Sequence, residues 1–173
     1  DVCPVYVTYY RDFDGDGHRD LSFGISDDGL NLGYDADIVY HEYGHHIVRT
    51  VAGPLYTRAD AWGLDHTPGA FNEGTADLFS LVFNGDPLLA EYMSQSPRWD
   101  KAIRDLEANR TCPGNLQNQI HRDGEIWGAT GWNLIEDPRV GPDTMADLLI
   151  GTLVRFDRTT GWAGASRAML DSA

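Results

Sequence analysis

The stretch Asp35-Ala36-Asp37-Ile38-Val39-Tyr40-His41-Glu42-Tyr43-Gly44-His45-His46-Ile47-Val48 decides how the rest of the chain is read. His41, Glu42 and His45 form a His-Glu-x-x-His pattern among Ile38, Val39, Ile47 and Val48, an apolar stripe of helical period. Asp35 or Asp37 offers a start and Gly53-Pro54 a stop, so the sequence predicts a buried helix over residues 36–51. Residues four apart share one helix face, which lets the two imidazoles converge on a single cation. Glu42 projects about 100° round the helix from His41, away from that pair but within reach of a water held by the metal.

A zinc site of this kind needs a third protein ligand from another element and keeps its fourth position for water. Glu73 is the candidate, in Gly69-Ala70-Phe71-Asn72-Glu73-Gly74-Thr75-Ala76-Asp77-Leu78-Phe79. Ala70, Phe71, Leu78, Phe79 and Val82 have helical spacing, and Glu73 and Asp77 fall on one face. With Glu73 on the metal, Asp77 one turn on is placed to accept the free ring N–H of a ligand histidine.

These residues resemble the gluzincin zinc metalloproteases, in particular the thermolysin-like and fungalysin-like branches. The likeness takes in Asp37 four before His41, Ala52-Gly53-Pro54-Leu55-Tyr56 after the helix, and Gly-Ala-Phe-Asn-Glu with an aspartate four after the glutamate. Ile120-His121-Arg122-Asp123-Gly124-Glu125-Ile126-Trp127, followed by Gly131-Trp132-Asn133-Leu134, is similar to the fungalysin-like segment that bears a transition-state histidine. The resemblance implies zinc on His41, His45 and Glu73, with Glu42 as general base and Asp77 orienting His41. It implies oxyanion donors at Tyr56 and His121, protein or peptide substrates, secretion, and an inhibitory propeptide before activation. Ala102-Ile103-Arg104-Asp105-Leu106 looks similar to a stretch of bacterial relatives, which makes Arg104 either a substrate-binding group or a solvated helix charge. The one departure is a longer separation of Tyr56 from Glu73 than in thermolysin, which leaves residues 57–68 without an expected structure.

A second metal-binding pattern lies in Asp12-Phe13-Asp14-Gly15-Asp16-Gly17-His18-Arg19-Asp20. Alternating aspartates and glycines can wrap oxygens round a hard cation, and calcium on Asp12, Asp14, Asp16 and Asp20 is the chemical reading. Phe23 stands where an EF-hand needs its bidentate glutamate, so the pattern is closer to shorter calcium loops. The alternative is an acidic turn between two strands. That loop also gives the competing function class, a calcium-dependent binding or adhesion module on an inactive gluzincin fold.

Composition bounds the remaining choices. The chain has 173 residues, enough for a sizeable core and for one compact domain. With 27 acidic and 13 basic residues it carries −14, which disfavours nucleic acid because phosphates would be repelled. Neither a membrane-spanning apolar run nor a signal peptide is present, and the chain starts at Asp1 and stops in a helix-like stretch, as a processed piece of a precursor would. Cys3 and Cys112 either form one disulfide or remain two buried thiols; neither has metal-ligand spacing.

The expected architecture is α+β: a small N-terminal sheet lobe, about residues 1–53, over a mainly helical lobe, about 54–173, in one zincin-like domain with the site in the cleft between. Strands are expected near 5–10, 20–26 and 30–34. Helices are expected at the two metal-binding stretches, near 98–108, 122–136, 143–156 and 162–172, with Pro142 at a favoured entry position. An edge strand near Leu21 to Ser26 could pair with extended substrate.

Overall fold

The computed structural model describes residues 9–11, 20–61, 63–98 and 100–173. The described chain is α+β and mainly helical. It opens with strands β1 (Tyr9–Arg11) and β2 (Asp20–Ser22), then helix α1 (Ala36–Val51), hairpin strands β3 (Arg58–Asp60) and β4 (Gly63–Asp65), and helix α2 (Thr67–Asn84). Strands β5 (Leu88–Leu89) and β6 (Arg104–Asp105) precede helices α3 (Ile120–Glu136), α4 (Gly141–Leu153) and α5 (Trp162–Leu170). The strands pair antiparallel as β1 with β2, β3 with β4 and β5 with β6. No helix among the described residues is long and apolar enough to cross a membrane.

Helix α1 spans the expected residues because its ends are chemically marked. The Asp35 carboxylate accepts the backbone N–H groups of Asp37 at 3.0 Å and Ile38 at 3.4 Å, satisfying donors that the first turn leaves free. Asp37, the other candidate start, is buried instead and accepts from Ser80 Oγ (3.1 Å), the backbone N–H of Ala90 (2.9 Å) and the Asn84 side chain. A carboxylate on the first turn of α1 thus ties it to the far end of α2 and to the residue that follows β5.

Helix α2 is buried along most of its length, with Phe71, Leu78 and Leu81 in the main core beside Trp127 and Trp132 of α3. Met145, Leu149 and Leu153 of α4 close that core, and Phe71 packs on Phe156 and Trp162 with ring centroids 5.2 and 4.9 Å apart. Burying one such aromatic side chain stabilises the fold by about 2 to 3 kcal/mol. The helices approach closely where side chains are absent: a Cβ on Gly44 would lie 2.8 Å from the Ala76 Cα, and one on Gly74 would lie 2.3 Å from the Gly124 carbonyl oxygen. Trp127 Nε1 donates to Thr75 Oγ1 at 3.1 Å, fixing α3 against α2 just where Glu73 sits. These contacts set the spacing between the elements that carry the site residues.

Several local expectations are corrected. Residues 32–34 form a 3-10 turn rather than a strand, because Asn31 caps Gly33 N at 3.0 Å. Among the described residues of 98–108 the expected helix is absent; a 3-10 segment covers Glu91–Gln95, and Arg104 and Asp105 lie in β6, paired with Leu89 and Leu88. Between Tyr56 and Gly69, where the sequence predicts no structure, Arg58–Asp60 and Gly63–Asp65 pair as β3 and β4, held by Arg58 on Asp65 at 2.8 Å, and α2 starts at Thr67. Helix α3 begins at Ile120, so His121 lies in its first turn rather than before it. Helix α4 covers Gly141–Leu153 rather than 143–156, with Pro142 in its first positions as expected. Cys112 is exposed, so it is no buried thiol, and Cys3 lies outside the described residues.

Candidate metal centre

Three donors from two helices meet at one point. His41 and His45 stand one turn apart on α1 with ring centroids 4.6 Å apart, and Glu73 faces them from α2. One ligand atom from each of the three lies within 4.8 Å of the other two, so the group could hold a metal ion. The finer distances fit: His41 Nε2 is 3.4 Å from Glu73 Oε2 and His45 Nε2 is 3.8 Å from Glu73 Oε1. Ligands about 2.1 Å from a tetrahedral centre stand roughly 3.4 Å from one another. Glu73 Oε2 is buried and makes no hydrogen bond, a costly state for a carboxylate oxygen that a cation would relieve.

Each imidazole is held through its other nitrogen. His41 Nδ1 donates to Asp77 Oδ1 at 2.7 Å, which leaves Nε2 to face Glu73. His45 Nδ1 donates to Asn72 Oδ1 at 3.1 Å, which likewise leaves Nε2 on the Glu73 side. Asp77 is fully buried, and its Oδ1 also accepts from Arg104 Nη2 at 2.6 Å, while Oδ2 has no hydrogen-bond partner. Arg104, whose side chain is 12% exposed, is therefore neither a helix charge nor solvated. It pairs from β6 with the carboxylate behind His41.

The titration tendencies follow from this arrangement. Burial alone would depress His41, but the Asp77 hydrogen bond and charge, with Glu73 beyond, hold it up at about 9. Burial and the neighbouring His41 charge push His45 down. Burial would raise Glu73, yet the His41 ring facing it and the charges of the surrounding histidines hold it far below the usual carboxylate range. For Asp77 burial likewise opposes ionisation, and the Arg104 charge with the His41 bond outweighs it.

The remaining expected residues divide clearly. Glu42 is buried and lines, with His41, His45, Glu73, His121 and Tyr56, a cavity of about 550 Å³. His121 enters from the first turn of α3, its Nε2 3.4 Å from Glu73 Oε2. Tyr56 is half exposed on the same wall, and its hydroxyl accepts from Arg49 Nη1 at 3.2 Å, leaving the phenolic proton for another acceptor. Leu89, Ala90, Met93 and Ile103 supply an apolar side to the cavity. Of the expected calcium ligands, Asp12, Asp14 and Asp16 lie outside the described residues, and Asp20 is an exposed residue of β2 opposite Arg11.

Two site contributors escaped the sequence reading, Asn72 behind His45 and Gln119, which contacts His121; Arg104, expected as a substrate-binding group or a solvated charge, stands behind Asp77. Asn72 carried a usable signal, as a polar residue just before Glu73 on a helix that is apolar around it. A scan against models of known protein families finds no match, and a search of curated proteins gives none either.

Proposed function

We propose that the chain is a zinc-dependent endopeptidase of gluzincin type, hydrolysing peptide bonds of proteins by an activated water. The observation that carries this reading is the convergence of His41, His45 and Glu73 on one point, with Glu42 and His121 facing the same cavity. Two imidazoles and one carboxylate are a catalytic rather than a closed structural donor set, and a tetrahedral cation held by three protein groups keeps one position open. A bound zinc ion lowers the pKa of a coordinated water and polarises the carbonyl to be attacked.

The protein's own groups would do the rest. Glu42 takes the proton from the attacking water and passes it to the leaving amine nitrogen. His121 Nε2 and the Tyr56 hydroxyl donate to the oxyanion as the carbonyl becomes tetrahedral. Asp77 and Asn72 keep the two imidazoles turned so that Nε2 of each faces Glu73. The Arg104 guanidinium, 2.6 Å from Asp77 Oδ1, favours the ionised carboxylate. Extended substrate would lie along β2, which among the described residues is paired only with β1, so that backbone hydrogen bonds select polypeptide.

The reading is tested by metal analysis of the purified chain together with cleavage of casein and apolar peptides, with and without chelator. One equivalent of zinc and chelator-sensitive hydrolysis restored by zinc are expected. A binding or adhesion module would bind cation and cleave nothing, and that outcome would overturn the proposal. Calcium in the Asp12 to Asp20 loop belongs to the same proposal, and a melting temperature unmoved by calcium at saturating zinc would remove it. Export with an inhibitory propeptide is the biological setting this reading carries with it.

A further inference from the structure

We propose that Gln119 is a positioning residue that fixes the tautomer of His121, placing its one ring proton on Nε2, the nitrogen that faces the metal centre. The proposal rests on the proteolytic reading for its consequence and on geometry alone for its statement. Gln119 occupies the N-cap of α3, and its side-chain oxygen accepts the backbone N–H of Arg122 at 2.7 Å. That bond decides which end of the amide points where, because only the oxygen can accept from a backbone N–H. The amide nitrogen is thereby turned toward His121, 3.0 Å from Nδ1. An amide N–H can only donate, so Nδ1 must present its lone pair, and the ring proton of the neutral imidazole is left on Nε2. Nε2 is the atom 3.4 Å from Glu73 Oε2.

The support for Gln119 is itself built in. Asp123, buried one turn into α3, accepts the backbone N–H groups of Gln117 at 2.7 Å and Gln119 at 3.2 Å. Both Asp123 oxygens are used on backbone, so that carboxylate holds the approach to the helix rather than the imidazole. A neutral amide thus does for His121 what Asp77 and Asn72 do for His41 and His45, with the opposite polarity. Asp77 and Asn72 accept from Nδ1 and leave Nε2 bare as a ligand atom; Gln119 donates to Nδ1 and leaves Nε2 protonated as a donor. Three histidines about one point are sorted into two ligands and one hydrogen-bond donor by the partner behind each ring.

Gln119→Glu provides the test, since a carboxylate can still cap Arg122 N with one oxygen while its other oxygen accepts from Nδ1. Long-range proton–nitrogen correlation spectra of the zinc-loaded protein read the His121 tautomer directly. The wild type should show a protonated Nε2 and a bare Nδ1, and Gln119→Glu should show a proton on Nδ1. With a peptide substrate, Gln119→Glu should lower kcat on the order of 10²-fold with KM nearly unchanged, the pattern for losing an oxyanion donor. A bare Nε2 in the wild type, or an unaltered tautomer in a folded Gln119→Glu protein, overturns the proposal. Should that variant not fold, the wild-type spectrum alone decides. A wild type that hydrolyses nothing removes the proteolytic reading and leaves the tautomer assignment to the spectra.

Discussion

His45 Nδ1 and the side-chain oxygen of Asn72 lie 3.1 Å apart, joining α1 to the residue just before Glu73 on α2. A single helical turn therefore supplies both a candidate metal ligand and the group that orients another candidate. Replacing Asn72 by Ala frees the His45 ring to rotate, and zinc affinity should fall about 10- to 100-fold. Competition titration against a chromophoric chelator measures it, and an unchanged affinity would remove Asn72 from the site.

Glu42 faces the cavity but is not one of the three converging donors. Glu42→Gln should retain one equivalent of zinc and lose essentially all peptide hydrolysis, because an amide cannot take a proton from water. Zinc content and turnover measured on the same sample separate the base from the ligands; retained turnover would exclude Glu42 as the base.

Arg104 and Asp77 form a nearly dry pair behind His41. Arg104→Met leaves a fully buried carboxylate with His41 as its remaining partner, a loss of about 3 to 5 kcal/mol by analogy with broken buried pairs. Denaturant unfolding should report that loss even where zinc is saturating. A change below about 1 kcal/mol, the range of exposed ion pairs, would show that the guanidinium is solvated after all.

The zinc-free protein should have a stability window set by the empty cluster. His41 titrates at about 9 in the fold against 6.5 for the unperturbed side chain. Its folded value is the higher, so its stabilising contribution is complete below 6.5 and is lost as pH rises through 9. Glu73 is depressed below its ordinary 4.5, so its contribution is present above that value and is lost as pH falls below it. Melting temperatures of chelated protein should therefore decline on both sides of the interval between those ordinary values. Zinc uptake near neutral pH should release protons, since His41 must shed one to bind. Calorimetry in buffers of different ionisation enthalpy checks the release.

Gly74 and Gly124 lie where α2 and α3 approach each other closely. Gly74→Ala places a methyl group 2.3 Å from a backbone oxygen, which must move the helices apart at a cost of about 1 to 3 kcal/mol. Thermal unfolding should show the drop, and an unchanged midpoint would contradict that close approach.

The metal helix was legible because its evidence is local: Asp35 caps it, Gly53-Pro54 follows it, and its apolar stripe repeats at helical period, so residues 36–51 emerged with their true bounds. Glu73 and Asp77 were legible for the same reason. Arg104 was named, but its pairing with Asp77 was not legible, because the two are 27 residues apart and only tertiary packing brings β6 behind α1. The stretch at 98–108 misled because its charges suit an exposed helix, whereas Arg104 and Asp105 pair with Leu89 and Leu88 and Asp105 turns back to accept Glu107 N. Gln119 escaped because an N-cap is recognised by its bond to backbone; its second bond, to His121, follows from where the first one points the amide.

Two of the three donors ride on α1 and the third on α2, at a separation set by Gly44 resting on Ala76. Sub-ångström drift between those rods would spoil the coordination polyhedron long before it unravelled either one. On the proposed reading, occupancy by the ion, assayed on any purified batch or variant, would double as a gauge of interhelical spacing, and a sample would lose its metal while its circular dichroism still looked intact.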